Sequence, residues 1–408
     1  MTASAKPAGR GWRGLPRNVW IVSLTSFLTD ISSEMIVNLL PLFLYSVLGA
    51  KTSAIGVIEG VAETTASLLK VFSGWFSDRL GQRKWLTVLG YGLSTVAKPF
   101  FYLAASWPAV LVIRFLDRVG KGVRTAPRDA LIADSVDESQ RGLSFGIHRA
   151  GDTAGAFLGL LVAFLVVRSL QAGELALQRV TFQQVVLLSI IPAVLAVLVL
   201  ALGAREAPVQ RAASRPALSL AGLPRRFVLF LGIVVLFTLG NSSDAFLILR
   251  ATERGLSVLQ VLGMLLTFNA VYSLLSGPAG ALSDRIGRRQ LILGGWLVYG
   301  LIYLGFALAQ SGWQVWALYG LYGVYYGLAE GTAKALVADL VPTEQRGTAF
   351  GVYSAAVGVT DLPASLAAGF LWQGVGGWSG LGPAAPFYFG AAMALAATVL
   401  LALWFRRA

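Results

Sequence analysis

The chain has 408 residues, of which 56% are hydrophobic and only 13% are charged. A soluble domain carries about a quarter charged residues, so this composition excludes an ordinary soluble protein and indicates a membrane protein. The absence of cysteine excludes disulfides and thiolate metal sites, and the single histidine argues against dedicated copper or zinc coordination. We therefore expect no cofactor and no resident metal.

The net charge of +13 is distributed between apolar segments and does not form one basic face. Nucleic-acid-binding proteins carry their positive charge as a continuous patch, so no nucleic acid is predicted as a partner. Residues 1–18 form a basic tail without the small-residue cleavage site of a signal peptide. We expect this tail to be cytoplasmic and the first apolar segment to stay in the membrane.

Apolar stretches long enough to cross a bilayer recur along the chain and predict an all-α membrane protein. The stretch 204–225 is polar and is predicted to link an N-terminal six-helix bundle (19–203) to a C-terminal one (226–408). Lysine and arginine concentrate in alternate loops and at both chain ends, which predicts that both termini are cytoplasmic. Twelve spans are expected, near 19–47, 53–76, 85–105, 108–131, 143–169, 181–203, 226–250, 257–282, 290–310, 313–338, 347–373 and 385–405.

A basic loop motif occurs twice, at 74–84 and 280–290, each time after the second span of a half. Its pattern, Gly-x-x-x-Asp-Arg-x-Gly-x-Arg/Lys, resembles the loop signature of the major facilitator superfamily of transporters. The resemblance implies two pseudo-symmetric six-helix bundles that move a solute by alternating access. It also implies gating, with Asp78 and Asp284 each bracing a helix start in the opposite half. The predicted gating residues are Gly74, Asp78, Arg79, Gly81, Arg83, Gly280, Asp284, Arg285, Gly287 and Arg288.

Ionisable residues inside the predicted spans are candidates for a site, because charges at bilayer depth are costly and mark solute pathways. In the first span, Asp30, Glu34 and Asn38 follow one another by about 40° around the helix and form an acidic stripe. Glu59 and Glu63 form a second stripe in the next span. An internal salt bridge that holds the spans together is the alternative for this second stripe.

The fourth predicted span carries a basic face that includes Arg114, Arg118 and Lys121. A helix with so many charges can cross a bilayer only if they meet water or partners. The start of this span resembles a motif of proton-coupled exporters, an arginine followed by x-x-Gln-Gly-x-Gly. Arg114 matches this motif, whereas Asp117 and Arg118 replace its glutamine and first glycine.

The fifth predicted span combines small residues with two titratable ones. Glycines at four-residue spacing form a face that allows close helix approach, at Gly151, Gly155 and Gly159. His148 and Asp152 lie near this face, and a hydrogen-bonded interior histidine is the alternative to a proton carrier. The superfamily's antiporter signature has Gly-Pro here, and the alanine that follows Gly155 weakens the case for antiport.

In the second half, Asp244 occupies the position equivalent to Glu34. Tyr326 and Glu330 share one face of the tenth predicted span. All three are candidates for contact with a substrate, with helix packing as the alternative for the tyrosine. This half has no counterpart of the basic fourth span, so the two halves are expected to present different chemistry to a solute.

Together these features predict a secondary active transporter. No Walker-type phosphate loop occurs, so an ion gradient supplies the energy, and carboxylates beside cations favour protons. The basic fourth span favours efflux of a small anionic solute or a metal–carboxylate chelate, because guanidinium groups bind such groups bidentately. The alternative is a multidrug transporter that exchanges cationic amphiphiles for protons, with carboxylates neutralising the arginines. An intramembrane enzyme is disfavoured by the single histidine and the lack of cysteine, and a receptor by the short termini.

Two overlapping sets of residues are predicted to form the site. The substrate-binding set is Asp30, Glu34, Asn38, Arg114, Arg118, Lys121, Asp244, Tyr326 and Glu330. The proton-coupling set is Asp30, Glu34, Glu59, Glu63, Arg114, His148 and Asp152. The expected partners are a small solute, protons and the lipid bilayer, and the expected form is a monomer in a bacterial cytoplasmic (inner) membrane.

Overall fold

The computed structural model of the chain describes residues 14–137, 140–171, 173–207, 222–286, 288–342 and 345–407. Most of these residues are helical, and a single bridge between Val375 and Trp378 is the only β-type pairing among them. The side chains at some positions within these ranges are outside the description, namely 78, 142, 276–286, 288, 327–332, 334, 335, 338, 346, 347 and 407.

The helices of the described chain follow the predicted spans. The first half contains α1 (Arg17–Val37), α2 (Leu40–Leu42), a π-helical turn (Phe43–Val47), α3 (Thr52–Leu80), α4 (Lys84–Ala97), α5 (Phe100–Leu103), α6 (Trp107–Asp134), α7 (Arg141–Gln171) and α8 (Arg179–Gly203). The second half contains α9 (Arg225–Leu239), α10 (Ala245–Glu253), α11 (Val258–Ile286), α12 (Arg288–Leu308), α13 (Gly312–Asp339), α14 (Arg346–Gln373) and α15 (Ala385–Arg407).

Seven helical segments of the described residues are long and apolar enough to cross a membrane, including Leu143–Gln171 and Arg179–Gly203. Helices satisfy their own backbone hydrogen bonds, which is what a bilayer requires of a spanning segment. The chain is therefore an all-helical integral membrane protein. The count of twelve spans and the cytoplasmic position of the termini remain predictions.

Three predicted spans are interrupted in the structure. The stretch 19–47 breaks after Val37, 85–105 breaks after Ala97, and 226–250 is non-helical from residue 240 to 244. Pro41 and Pro99 follow the first two breaks closely, and proline lacks the backbone donor and restricts the residue before it. The third break is the sequence Gly-Asn-Ser-Ser-Asp, whose side chains compete with helical hydrogen bonds. Non-helical backbone at membrane depth is tolerated where it is buried in protein or lines a cavity.

The glycine face of α7 packs against α1, as its spacing predicted. An ideal Cβ atom added to Gly155 would lie 3.1 Å from Cβ of Asp30. The same atom on Gly159 would lie 3.1 Å from Cβ of Glu34. The glycines therefore let α7 lie directly along the acidic stripe of α1, and we refer to this contact as the α1–α7 seam.

The two halves share one apolar core at the end of the molecule where α2 and the π-helical turn meet α10. Leu44 and Phe246 are fully buried in it. A smaller cluster around Val19 and Leu200, at the end where α1 begins, contains residues of the first half together with Leu15 of the tail and Ala204 and Ala207 of the linker. We call the former the closed end and the latter the terminal end.

Helices α3 and α14 join the halves through close contacts and hydrogen bonds. An ideal Cβ on Gly60 would lie 2.8 Å from Cδ1 of Leu362, so the two helices approach closely. The backbone N–H of Thr52 donates to Oε1 of Gln373 at 2.7 Å. Closure at this side of the molecule therefore rests on polar contacts as well as on apolar packing.

Candidate functional site

A cavity of about 390 Å³ lies between the two halves. Cavities of this order hold small-molecule ligands. Its first-half lining is Glu34, Val37, Asn38, Pro41, Glu59, Glu63, Arg114, Arg118 and Lys121. Its second-half lining is Asn241, Ser242, Ser243, Asp244, Ala245, Ile248, Tyr326, Asp361 and Ser365. The breaks after α1 and after α9 both border this cavity.

Arg114 is the least exposed charged residue of the cavity lining. Its side chain is 2% exposed, and its Nη2 atom donates to Oε2 of Glu59 at 3.1 Å. Its Nη1 atom lies 3.7 Å from Oδ2 of Asp117. A buried charge is tolerated when it is paired, so this ion pair joins α6 to α3. This arrangement supports the interpretation of Glu59 as a member of an internal salt bridge, which was the alternative to a role in the site.

Exposure to water rises along α3 and α6 from this pair toward the terminal end. The Nη1 atom of Arg118 lies 3.4 Å from Oε1 of Glu63, and Glu63 is 39% exposed whereas Glu59 is 7% exposed. Lys121, the next cavity residue on α6, is exposed and makes no ion pair with any residue the structure describes. The cavity is therefore reached by water from the terminal end and closed at the other.

The acidic stripe of α1 divides between two environments. The Glu34 carboxylate accepts a hydrogen bond from Nδ2 of Asn38 at 2.7 Å, and both residues line the cavity. Asp30 does not line the cavity and instead packs at the α1–α7 seam against Gly155. Asp30, Glu34 and Asn38 share one face of α1, as predicted. Because α7 covers the Asp30 end of this face, only Glu34 and Asn38 among the three line the cavity.

His148 and Asp152 also lie on α7 outside the cavity lining. His148 is 4% exposed, and its Nε2 atom is 3.7 Å from Oδ2 of Asp152, which is longer than a hydrogen bond. Neither ring nitrogen of His148 has a hydrogen-bond partner among the described residues. A role of Asp30, His148 and Asp152 in proton coupling remains a prediction.

The break between α9 and α10 presents four consecutive polar residues to the cavity. Tyr299 donates its hydroxyl to Oδ1 of Asn241 at 3.0 Å. Tyr322 donates to Oδ1 of Asp244 at 3.4 Å, and the Asp244 side chain is exposed to the cavity. Ser242 is buried. The tyrosines of α12 and α13 therefore hold this unwound segment from behind.

Tyr326, Tyr322 and Phe268 form a cluster of aromatic side chains beside the break between α9 and α10, and we call this cluster the aromatic wall. Tyr326 lines the cavity and meets Tyr322 edge-on, with ring centroids 5.0 Å apart. Phe268 of α11 lies 5.6 Å from Tyr326, again edge-on. The side chain of Glu330, predicted to share this face, lies outside the described residues.

Arg83 of the first loop motif is buried and fixed on three sides. Its Nη1 atom donates to Oγ of Ser77 at 2.6 Å, and its Nε atom donates to Oδ2 of Asp134 at 3.2 Å. Its backbone N–H donates to Oε1 of Glu206 at 2.6 Å. Arg83 therefore ties the α3–α4 loop to the end of α6 and to the start of the linker, which differs from an ordinary solvated loop charge.

The other residues of the motif are placed only in part. Gly81 ends α3 in the left-handed region with φ +65°, and its N–H donates to the Ser77 carbonyl at 3.0 Å. The Arg79 guanidinium lies 5.6 Å from the Trp75 ring centroid. An ideal Cβ on Gly74 would lie 3.3 Å from Cβ of Ala126. In the second copy, Gly280, Asp284 and Arg285 lie on α11 and Arg288 begins α12, but their side chains, like that of Asp78, are outside the description, and Gly287 is outside it altogether.

Lys98 is a buried cation that was not among the predicted site residues. It is 3% exposed, and its Nζ atom donates to Oγ of Ser32 at 2.5 Å and to Oγ of Ser33 at 3.1 Å. The signal in the sequence was a single lysine in an apolar span directly before proline. Because it belongs to no charged stripe, shared helical faces do not reveal it. Asp361 and Asn241 were likewise absent from the predicted site and line the cavity.

Comparison with known proteins assigns the family. The family model described as the Major Facilitator Superfamily matches residues 22–266 and 228–408. An uncharacterized MFS-type transporter of Methanocaldococcus jannaschii is 37% identical over 395 residues, with 95% of each chain covered. The multidrug resistance protein MdtG of Citrobacter koseri is 24% identical over 323 residues, covering 76% of this chain and 77% of that protein.

Solved structures share the fold at low sequence identity. A mutant of the nucleoside transporter NupG superposes with a TM-score of 0.78 at 12% identity, covering 95% of this chain and 100% of that one. A D-xylose–proton symporter gives 0.75 at 15% identity, covering 94% of this chain and 96% of that one. These likenesses describe the fold alone.

Proposed function

This chain belongs to the Major Facilitator Superfamily, and on that premise we propose that it is a secondary active transporter that works by alternating access. The observation that carries the proposal is the ionisable cavity between the halves, closed at one end and reached by water from the other. If the termini are cytoplasmic, as the basic loops predict, the arrangement corresponds to an inward-facing state. The protein would act as a monomer in a bacterial cytoplasmic membrane and would carry out no catalysis.

Protons are the coupling ion in this proposal. Glu63 is the cavity carboxylate that combines an arginine partner, Arg118, with substantial exposure to water. Protonation of Glu63 would remove the charge that holds Arg118, and so couple proton binding to a rearrangement between α3 and α6. Asp30 and His148 at the α1–α7 seam are candidates for a second proton site.

Efflux is the proposed direction of transport. Relatives named multidrug resistance proteins support it, since removal of compounds from the cell is one way in which a transporter can confer such resistance. The inward-facing geometry is compatible with loading from the cytoplasm, because the described cavity is reached from the terminal end.

Two substrate classes are compatible with this cavity lining. A small anion or metal–carboxylate chelate is favoured by Lys121, which is exposed and unpaired among the described residues. A cationic amphiphile is favoured by the aromatic wall and by the charge count of the described lining, where five carboxylates face three cations. The carboxylates are those of Glu34, Glu59, Glu63, Asp244 and Asp361, and the cations are Arg114, Arg118 and Lys121. The pairing of Arg114 with Glu59 and of Arg118 with Glu63 weakens the purely anionic alternative.

Proton-coupled transport is tested in liposomes that contain the purified chain and a trapped pH indicator. Tetraphenylphosphonium and N-acetyltryptophan serve as cationic and anionic probes. We expect the gradient of an accepted probe to move protons across the membrane, and the Glu63→Gln variant to abolish this movement. Lys51→Gln, in an exposed loop, is the matched control and keeps wild-type rates. Probe movement with no accompanying proton flux in the wild type would refute proton coupling.

A further inference from the structure

The two halves of the protein contribute different charges to the cavity. The described first-half lining carries cations as well as carboxylates, whereas the described second-half lining carries carboxylates. The described first-half lining carries three cations and three carboxylates, and two ion pairs form among them, Arg114 with Glu59 and Arg118 with Glu63. Lys121 is the cation of this lining without an ion pair to a described residue, and Glu34 is the carboxylate without one. Lys121 is exposed and makes no ion pair with a described residue. An ammonium in this position is available to an acidic group of a ligand.

The second-half side of the cavity carries two carboxylates and, among its described lining residues, no cation. Asp244 receives one long hydrogen bond, from Tyr322 at 3.4 Å. Asp361 of α14 receives no hydrogen bond and no ion pair from any residue the structure describes, and it lines the same cavity. The described second-half lining contributes no lysine or arginine. Asp244 is exposed to the cavity and Asp361 is half-buried, so two carboxylates without a described counter-charge lie at one wall, and the cationic group of a ligand can supply that counter-charge.

The aromatic wall beside these carboxylates suits a cationic group. Tyr326 borders the cavity together with Asp244 and is held edge-on by Tyr322. An organic ammonium within about 6 Å of such a ring gains cation–π attraction. Carboxylate and aromatic ring together therefore form a place for an amine or a quaternary ammonium.

We propose that the transported solute is a zwitterion, bound with its acidic group at Lys121 and its amine-type cation at Asp244, Asp361 and Tyr326. The proposal rests on the proposed transport function and narrows its substrate class. A pure anion would leave both aspartates uncompensated, and a pure cation would leave Lys121 uncompensated. A molecule that carries both charges satisfies both walls, and the cavity volume of about 390 Å³ is in the range of small-ligand sites.

Three matched probes test this inference, because they share one ring system and differ only in charge. They are tryptophan (zwitterion), N-acetyltryptophan (anion) and tryptophanamide (cation). Binding to the full chain in lipid nanodiscs is measured by calorimetry at one fixed pH and without any gradient. We expect tryptophan to bind at least about tenfold more tightly than either derivative, the factor that corresponds to about 1.4 kcal/mol.

Single substitutions test which residue of the cavity binds which charge of the ligand. Lys121→Met should remove the advantage of tryptophan over tryptophanamide, and Lys121→Arg should restore it. Asp361→Asn should remove the advantage of tryptophan over N-acetyltryptophan. Lys51→Gln, with its exposed side chain away from the cavity, should change none of the three affinities. An unchanged melting temperature shows that each variant is folded.

Several results would overturn the inference. They are equal or tighter binding of either singly charged derivative, no binding of any of the three probes, and tryptophan binding that neither variant alters. Because the binding measurement uses no gradient, these results are independent of proton coupling. Failure of the transport proposal would appear instead as tryptophan that binds but does not cross the membrane when it is added to the liposomes as a third probe.

Discussion

The two arginine–glutamate pairs of the cavity are Arg114–Glu59 and Arg118–Glu63. Replacing the glutamate by glutamine should lower the free energy of unfolding more in the first pair than in the second. Glu59→Gln would leave Arg114, 2% exposed, with Asp117 at 3.7 Å as its remaining carboxylate neighbour within 4 Å among the described residues. Removing one partner of a buried ion pair costs about 3–5 kcal/mol. We expect about 3 kcal/mol, the low end of that range, because Asp117 remains as a nearby counter-charge and the new amide oxygen can accept a hydrogen bond from Arg114. Glu63→Gln should cost about 1 kcal/mol or less, because Glu63 is 39% exposed and water screens its pair with Arg118.

The measurement is the free energy of unfolding in mixed micelles, followed by tryptophan fluorescence as SDS is added. The double variant Glu59→Gln/Arg114→Met completes a mutant cycle. It should cost clearly less than the sum of the two single variants, because it removes both members of the pair and leaves no unpaired charge. Strictly additive costs, or a Glu59→Gln cost no larger than that of Glu63→Gln, would refute the buried pairing.

Four further substitutions test the α1–α7 seam and the first loop motif, each by the same unfolding measurement. Gly155→Ala should destabilise the protein by about 1–3 kcal/mol, because its new methyl would collide with the Phe27 carbonyl oxygen and lie 3.1 Å from Cβ of Asp30. Gly146→Ala on the same helix has open space around it, and it should be neutral or stabilise by up to about 1 kcal/mol; equal effects of the two would contradict the α1–α7 seam. Gly81→Ala should cost about 1–2 kcal/mol, since φ is +65° there, and no loss would mean that α3 ends differently. Arg83→Met should cost about 2 kcal/mol, because it removes charged hydrogen bonds to Ser77 and Asp134, whereas an unchanged stability would show that Arg83 is a solvated loop charge.

The positions of the helices could be predicted because the bilayer constrains them strongly. A spanning segment must be apolar and must satisfy its own backbone, and both requirements are visible in composition alone. The breaks within the spans could not be located by the same means, since averaging over a span hides a few residues. The segment 240–244 shows this, as its glycine, asparagine and serines disturb the hydropathy of a span very little but compete with its hydrogen bonds.

The sequence predicts which site residues share one face of a helix, but it does not predict which residues of other helices they contact. Spacing on α6 identified Arg114 and Arg118 as members of one face, and both line the cavity. Which carboxylate each arginine meets depends on how α3 is rotated against α6, and no local pattern encodes that rotation. Asp30 was expected beside Glu34 in the site, but the close approach of α7 at Gly155 places it in a seam. Asp30 is excluded from the cavity by the packing of α7 against α1. The residue spacing within α1 alone carries no information about that packing.

The most direct test of an alternating cavity uses the absence of cysteine from the chain. A single cysteine is placed in the cavity by Lys121→Cys, and an impermeant maleimide is added to either face of sealed vesicles. In a second sample the closed end is first locked with a short bismaleimide between Lys51→Cys and Gln373→Cys, next to the Thr52–Gln373 hydrogen bond.

Alternating access predicts that residue 121 reacts from both faces in the unlocked protein and only from the face that carries the termini once the closed end is locked. Mass spectrometry reports both the lock and the label. Reaction from the opposite face after locking, or from neither face at any time, would contradict a cavity that opens alternately to the two sides.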